Sequence, residues 1–154
     1  MLIATNNRMS QKEHYRKLER MYLQANVNTM IFDTTTCHIS EGKSEIGLRI
    51  SEKYFHALGA IHGSVYFKLL DDAAFFAVNS VVHDAFVLTT SFNIQLLRPV
   101  NKGILKAEGK VRFVSKELFV AESILYNERG KEVATGTGNF VKSKVQLTPE
   151  IGYE

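Results

Sequence analysis

The 154-residue sequence has one cysteine, two prolines, no tryptophan and no strong excess of either charge. A single cysteine, Cys37, excludes an internal disulfide and fits a reducing compartment. The formal net charge of +3 is too small to favour nucleic acid as a partner. No apolar run is long enough to span a bilayer, and the first ten residues lack the pattern of a signal peptide. We therefore expect a soluble cytoplasmic protein that has no membrane partner.

The length suits a single domain over residues 1–154. Ser10 to Glu13 has the S-x-x-E form of a capping box, and apolar residues follow at helical spacing. This pattern predicts a short amphipathic N-terminal helix over residues 10–26. Residues 146–154 are expected to form a loose tail. The histidines lack metal-ligand spacing, so we expect neither a metal nor a cofactor.

The stretch from His62 to Ala77, HGSVYFKLLDDAAFFA, is the most informative part of the chain. It reads as one helix that is apolar on nearly every side, which is typical of a buried helix. Two carboxylates, Asp71 and Asp72, nevertheless stand in its middle, and Gly63 follows the histidine at its start. Buried acids are rare unless they are paired or functional. The helix therefore predicts a functional site.

The rest of the chain is dominated by strand patterns. Two strands are predicted within residues 32–50, with a turn at 41–43, and four longer ones over 86–97, 105–113, 118–126 and 131–145. In the first of the long strands, alternation places Phe92 and Ile94 on an apolar face interrupted by Thr90, and Thr89 on the opposite, polar face. Together these elements predict an α+β fold, in which one antiparallel sheet wraps around a central buried helix.

The order of elements and the His62-Gly63 start of the helix resemble the hotdog-fold acyl-CoA thioesterases. In particular, the sequence resembles the phenylacetyl-CoA thioesterase-like branch of the 4-hydroxybenzoyl-CoA thioesterase superfamily, and the resemblance covers about residues 35–143. Its motif is His-Gly-Gly, six residues, then an acid, and Asp71 falls at the acid position. The strand ending in Arg98-Pro99 matches a second family feature. The sequence departs from the family at Ser64, which replaces the second glycine, and at His56, where many relatives have asparagine or another polar residue.

The resemblance implies hydrolysis of an acyl-coenzyme A to free acid and CoA. Unpaired N–H groups at a helix start favour negative charge, so the amide of Gly63, helped by that of Ser64, would polarise the thioester carbonyl. Asp71 would be the nucleophile or the base that orients water. In relatives, the acid of one subunit meets the helix start of its partner, which implies a homodimer or a dimer of dimers. Like charges would keep both acids from ionising freely if both are buried.

Further residues are expected to complete the site. Three of these are predicted to contribute to catalysis: His56, His62 and Thr89. His56 would hold the thioester or water, and His62 would cap the helix or shape the pocket. Thr89 would position water, unless it is an ordinary strand residue. Asp72 is expected to bind substrate or to make a structural or intersubunit contact, with Lys68 able to pair with either acid. The expected contacts to coenzyme A phosphates come from four residues that could form a basic rim: Arg98, Lys102, Ser115 and Lys116.

Two other functions remain open on the sequence. A hotdog domain that binds or senses acyl-CoA without cleaving it would share this fold, because fold alone does not imply activity. The aspartate at position 71 favours the enzyme. A hotdog dehydratase is a weaker alternative, since its His-Phe-Pro motif is missing.

Overall fold

The structure, a computed structural model, describes residues 2–154, with side chains from Ser10 onward. Two α-helices are present in this range, α1 (Leu2–Gln24) and α2 (Gly63–Ser80). A π-helix covers Val27–Ile31, and 3-10 helices cover Glu52–Tyr54 and Pro149–Ile151. The strands are β1 (Thr36–Ser40), β2 (Lys43–Arg49), β3 (Ala85–Leu96), β4 (Ile104–Val114), β5 (Phe119–Tyr126) and β6 (Glu132–Gln146).

The strands form one antiparallel sheet in the order β1-β2-β4-β5-β6-β3. Gly42 turns the chain between β1 and β2 with a φ of 67°, a backbone conformation that favours glycine. Between β5 and β6, the Asn127 side chain accepts hydrogen bonds from the amides of Arg129 and Lys131. The order of elements and the architecture predicted from the sequence are thus confirmed.

Helix α2 lies on one face of this sheet and forms the centre of the core. Leu69, Leu70 and Ala73 are fully buried. The helix approaches β4 so closely that a Cβ at Gly109 would overlap the Ala73 carbonyl. Two serines of the sheet hold the helix backbone at the same place: Ser44 Oγ donates to the Ala73 oxygen at 2.5 Å and Ser123 Oγ to the Leu70 oxygen at 2.8 Å. The helix is therefore fixed on the sheet on both sides of Asp71 and Asp72.

The face assignment predicted for β3 is wrong, because the strand contains a β-bulge. The pairing with β6 shifts between Thr89 and Ser91. These two residues are two positions apart on β3, but their partners are adjacent on β6. Before the bulge, Val87 is fully buried and Thr89 contacts α2, whereas after it Phe92 and Ile94 pack against the core. An extra residue in a period of two moves later side chains to the other face. The interruption at Thr90 was the sequence signal of this bulge.

The N-terminal helix is longer than predicted, and Ser10 does not cap it. Helix α1 begins at Leu2 and ends at Gln24, so Ser10 to Glu13 lie in its interior. A serine and a glutamate three residues apart can also stand within a helix, and the local pattern could not tell the two cases apart. The π-helix that follows α1 was not anticipated.

The segment after β6, expected as a loose tail, packs against α1. The buried His14 ring contacts the Tyr153 hydroxyl at 2.7 Å and the Asn79 carbonyl at 2.9 Å. Arg20 Nε donates to the Glu154 backbone oxygen. Burial is the main cause that lowers the pKa of His14. These contacts join both ends of the chain to the end of α2.

The two edges of the sheet differ. Along β1, Arg16 donates to the Ile39 carbonyl and Glu19 accepts from the Ile39 amide at 2.7 Å, so α1 covers that edge. Strand β3 forms the other edge and pairs only with β6 within the described chain. No helix in residues 2–154 has the length and hydropathy required to cross a membrane.

Candidate active site

Asp71 lies on the third turn of α2 and faces β3. Its Oδ1 accepts a hydrogen bond from Thr89 Oγ at 2.8 Å. The β-bulge makes this contact possible, because without the extra residue either Thr89 or the later core residues would face away from α2. The structure therefore brings together two residues that the sequence placed in the site, Asp71 and Thr89.

Burial dominates the electrostatics of Asp71. Loss of solvation raises the pKa of its carboxyl from 3.8 to about 6, and the neighbouring Asp72 adds to this rise. The Thr89 hydrogen bond and the positive charge of Lys68 act in the opposite direction. A carboxyl group with a pKa near 6 is about nine-tenths ionised at pH 7. Because this pKa is close to neutral pH, the carboxylate is a stronger base than an ordinary aspartate, which suits a general base.

Asp72 is held by a polar network on the side of α2 that faces the end of α1. Lys68 Nζ lies 2.6 Å from Asp72 Oδ2, and the Tyr22 hydroxyl donates to the same oxygen at 2.7 Å. Lys68 also donates to Asn28 Oδ1, and its charge lies over the rings of Phe32 and Tyr22. Of the two acids that Lys68 was expected to reach, it therefore pairs with Asp72, which is its i+4 neighbour.

The network includes two residues that sequence reasoning missed, Tyr22 and Asn28. They are separated from Asp72 and Lys68 by 50 and 40 positions along the chain. The burial of Tyr22, together with the Asp72 charge, raises the pKa of its phenol strongly. Asn28 is buried and belongs to the unanticipated π-helix. No local pattern pointed to either residue, because their role arises only when α1 packs on α2.

The start of α2 has an open backbone donor. His62 is the N-cap, and its Nδ1 accepts a hydrogen bond from the Ser64 amide at 3.1 Å and contacts Ser64 Oγ at 2.8 Å. Within the described residues, nothing accepts a hydrogen bond from the Gly63 amide. A Cβ at position 63 would meet only Leu96 Cδ1, at 3.4 Å. Neither the backbone nor the packing inside the chain therefore requires a glycine here.

Gly63 opens into a cleft of about 360 Å³ that also contains His56 and Arg98. His56 Nδ1 accepts from the Leu58 amide, so that the ring has a defined orientation in its loop. Arg98 Nε donates to the Glu132 carbonyl, and the Tyr66 hydroxyl donates to the Arg98 carbonyl at 2.7 Å. His56, His62, Gly63, Ser64 and Arg98 thus share one end of the helix.

The proposed contacts to coenzyme A phosphates do not form one rim within the chain. Arg98 and Lys102 lie between the end of β3 and the start of β4, whereas Ser115 and Lys116 lie in the turn after β4. Ser115 Oγ closes that turn with Leu118. Since β4 has 11 residues, the two pairs are about 35 Å apart along the sheet.

A second cavity, of about 570 Å³, borders Asp71, Asp72 and Thr89. It lies between the end of α1, the middle of α2 and the start of β3. Gly63 does not line it, and the rise of a helix places residues 63 and 71 about 12 Å apart. One chain therefore holds the free amide and the partly buried acid in separate cavities. In the described residues, no three metal-ligating side chains cluster.

A family profile described as the thioesterase superfamily matches residues 58–134, which is half of the chain and includes Gly63, Asp71 and Thr89. The chain belongs to the thioesterase superfamily. A candidate esterase of Saccharolobus solfataricus is 23% identical over 131 residues, which are 84% of this chain and 94% of that protein.

Comparison with solved structures confirms the hotdog fold. The PaaI protein from the phenylacetic acid degradation operon of Escherichia coli superposes with a TM-score of 0.80 at 21% identity, over 90% of this chain and 99% of that one. A thioesterase family protein from Silicibacter pomeroyi gives a TM-score of 0.73 at 21% identity, over 83% and 96% of the two chains. The resemblance drawn from His62-Gly63 and Asp71 thus identified the family correctly.

Proposed function

We propose that this protein is an acyl-CoA thioesterase and that its active site forms between two protomers of a homodimer, which could pair further as a dimer of dimers. The main support is the partly buried Asp71 beside a cavity, with its carboxyl bonded to Thr89 and its pKa raised to about 6. Membership of the thioesterase superfamily supplies the reaction class. Acyl-coenzyme A is the proposed substrate and not a resident cofactor.

Asp71 acts on water in the simplest form of this mechanism. The carboxylate accepts a proton from a water molecule, whose oxygen attacks the thioester carbonyl carbon. The carbonyl oxygen becomes an oxyanion and receives a hydrogen bond from the Gly63 amide of the other protomer. The C–S bond then breaks, the carbonyl reforms, and the thiolate of coenzyme A leaves with the proton that Asp71 had accepted. In the alternative, an Asp71 oxygen attacks the carbonyl carbon directly, the C–S bond breaks as the thiolate leaves, and water hydrolyses the resulting anhydride to free acid and Asp71.

Two features support a composite site. The acid and the free amide lie about two turns apart on the same helix and open into separate cavities. The uncovered β3 edge carries large exposed apolar side chains at Leu88 and Leu96, with Leu97 directly after it. Such an edge favours association with another chain. A partner that packs along β3 would bring its own helix start towards Asp71.

Asp71→Asn tests the chemistry. Thiol release is measured for wild type and variant with acetyl-, hexanoyl- and phenylacetyl-CoA. We expect turnover to fall by about 10²- to 10⁴-fold, because the amide cannot act as a base. Asp84→Asn is the matched control, since Asp84 is an exposed carboxylate that forms a salt bridge with Lys142 and does not line the cavity beside Asp71. Equal turnover in wild type and Asp71→Asn would remove Asp71 from the mechanism. Tight binding of an acyl-CoA without any release would instead identify a non-catalytic binding domain.

A further inference from the structure

The cavity beside Asp71 has apolar walls from two different parts of the chain. One part comes from α2 and β3, inside the matched range 58–134, and the other comes from α1, the π-helix and the C-terminal 3-10 helix, outside that range. The apolar side chains in these walls are Phe75, Phe76, Phe86 and Leu88 from the first part, and Met21, Ala25, Val27 and Ile151 from the second.

Lys68 fixes the position, relative to Asp71, of the part of the wall that comes from α1 and the π-helix. Lys68 Nζ donates to Asn28 Oδ1 at 2.9 Å and to the Tyr22 hydroxyl at 3.1 Å, and Asn28 Nδ2 donates to the Tyr22 carbonyl at 2.7 Å. Lys68 lies one turn before Asp71 and Asp72 on α2. The segment from Met21 to Asn28 is therefore tied to the turn that carries the acid.

The charge of the lining restricts what can bind. The cavity wall contains the carboxyl groups of Asp71 and Asp72 but no lysine or arginine side chain among the described residues. Lys68, which lies one turn before the two acids on α2, already contacts Asp72. A second carboxylate at the far end of an acyl chain would lose its hydration and gain no partner. A purely apolar acyl chain, in contrast, gains from leaving water.

We propose that the segment Met21–Asn28, together with Ile151, forms the acyl-binding wall of this enzyme and selects uncharged apolar acyl groups larger than acetyl. This inference rests on the proposed function, because Asp71 places the thioester at the mouth of the cavity. Each methylene buried in the cavity strengthens binding by up to about fourfold. Hexanoyl- and phenylacetyl-CoA are therefore preferred over acetyl-CoA, and succinyl-CoA is a poor substrate.

Val27→Trp tests the wall. Val27 is 41% exposed, so a larger side chain there fills the cavity without disturbing the core. We expect kcat/KM for hexanoyl-CoA to fall at least about tenfold and that for acetyl-CoA to change less than about twofold. Met30→Trp is the matched control, because Met30 is in the same π-helix, is 75% exposed and does not line the cavity. Gln24→Trp repeats the test from α1 if Val27→Trp does not fold.

Binding of uncleavable thioethers separates this inference from the proposed function. Calorimetry compares S-hexyl-CoA with S-methyl-CoA on wild type and Val27→Trp. Tighter binding of S-hexyl-CoA by wild type, lost in Val27→Trp and kept in Met30→Trp, supports the wall even if no thioester is cleaved. Equal affinity for both thioethers, or an equal effect of Val27→Trp on both, overturns the wall, and cleavage of acetyl-CoA would leave the thioesterase proposal intact.

Discussion

The start and the middle of α2 carry the two halves of the proposed chemistry, and they are built in opposite ways. In the middle, Ser44 and Ser123 hold the backbone, and Thr89 holds the Asp71 carboxyl. At the start, the Gly63 amide has no acceptor within the described residues, and no neighbour excludes a side chain there. The proposed reaction accounts for both a partly buried acid whose ionisation opposes folding and a glycine that the fold does not require.

Adding one methyl group at Gly63 tests most directly whether this glycine serves the reaction or the fold. Gly63→Ala is expected to lower turnover about 100-fold, because the methyl group obstructs the thioester at an amide worth about 3 kcal/mol. The thermal midpoint should not fall, since alanine suits the first turn of a helix better than glycine. Thiol release and differential scanning calorimetry measure the two effects. A loss of stability with unchanged turnover would mean that Gly63 serves the fold.

Mixing the two inactive variants tests whether the halves come from different protomers. Gly63→Ala and Asp71→Asn are denatured together, refolded and assayed. In a composite dimer, half of the molecules are heterodimers with one intact site, so about a quarter of wild-type activity returns. If each chain supplies a whole site, the mixture stays as inactive as its components.

The stability of Asp71→Asn tests the electrostatic cost of the acid in the middle of α2. In the folded protein, the pKa of Asp71 is raised from 3.8 to about 6, so ionisation opposes folding. This cost is absent below pH 3.8 and complete above about pH 6. Asparagine keeps the acceptor for Thr89 but has no charge. We expect Asp71→Asn to be more stable by about 2 kcal/mol at pH 7.5, a figure reduced for the partial exposure of Asp71.

Urea unfolding at pH 7.5 and pH 4.5 measures the difference in stability between Asp71→Asn and wild type, and so checks its predicted sign. The advantage of Asp71→Asn should shrink by more than half at pH 4.5, because folded wild type then carries a neutral Asp71. Gly63→Ala should show no such dependence on pH. An Asp71→Asn protein that is less stable than wild type at pH 7.5 would contradict the raised pKa.

The smallest expected effect concerns Thr89. Its hydroxyl lowers the pKa of Asp71, so Thr89→Val should raise that pKa further. The activity of wild type should rise with pH and be half complete near pH 6, and the midpoint in Thr89→Val should lie higher by up to about one pH unit. Thr90→Val is the control, because the neighbouring Thr90 hydroxyl donates to the Asn139 carbonyl and does not touch Asp71. A shift of equal size in both variants would rule out the specific contact.

Prediction from the sequence succeeded for the number, type and order of the main elements, although a bulge overturned the face assignment within β3. The alternating strands gave the sheet, and the apolar stretch with His62-Gly63 gave the buried helix that begins at Gly63. It was less successful at element boundaries and connections, as the interior position of Ser10 and the missed π-helix show. In these segments the packing of α1 against the rest of the chain decides the conformation, and residue spacing carries little of that information.

The sequence by itself determined that an acid stands in a buried helix and that a glycine follows its capping histidine, because helical periodicity and capping depend on neighbours along the chain. The tertiary structure decided how each acid is held. Tyr22 donates to Asp72, Asn28 accepts from the Lys68 that pairs with Asp72, and the bulge in β3 turns Thr89 towards Asp71. The contacts of Tyr22, Asn28 and Thr89 join residues from separate elements, so they exist only once these elements have packed together.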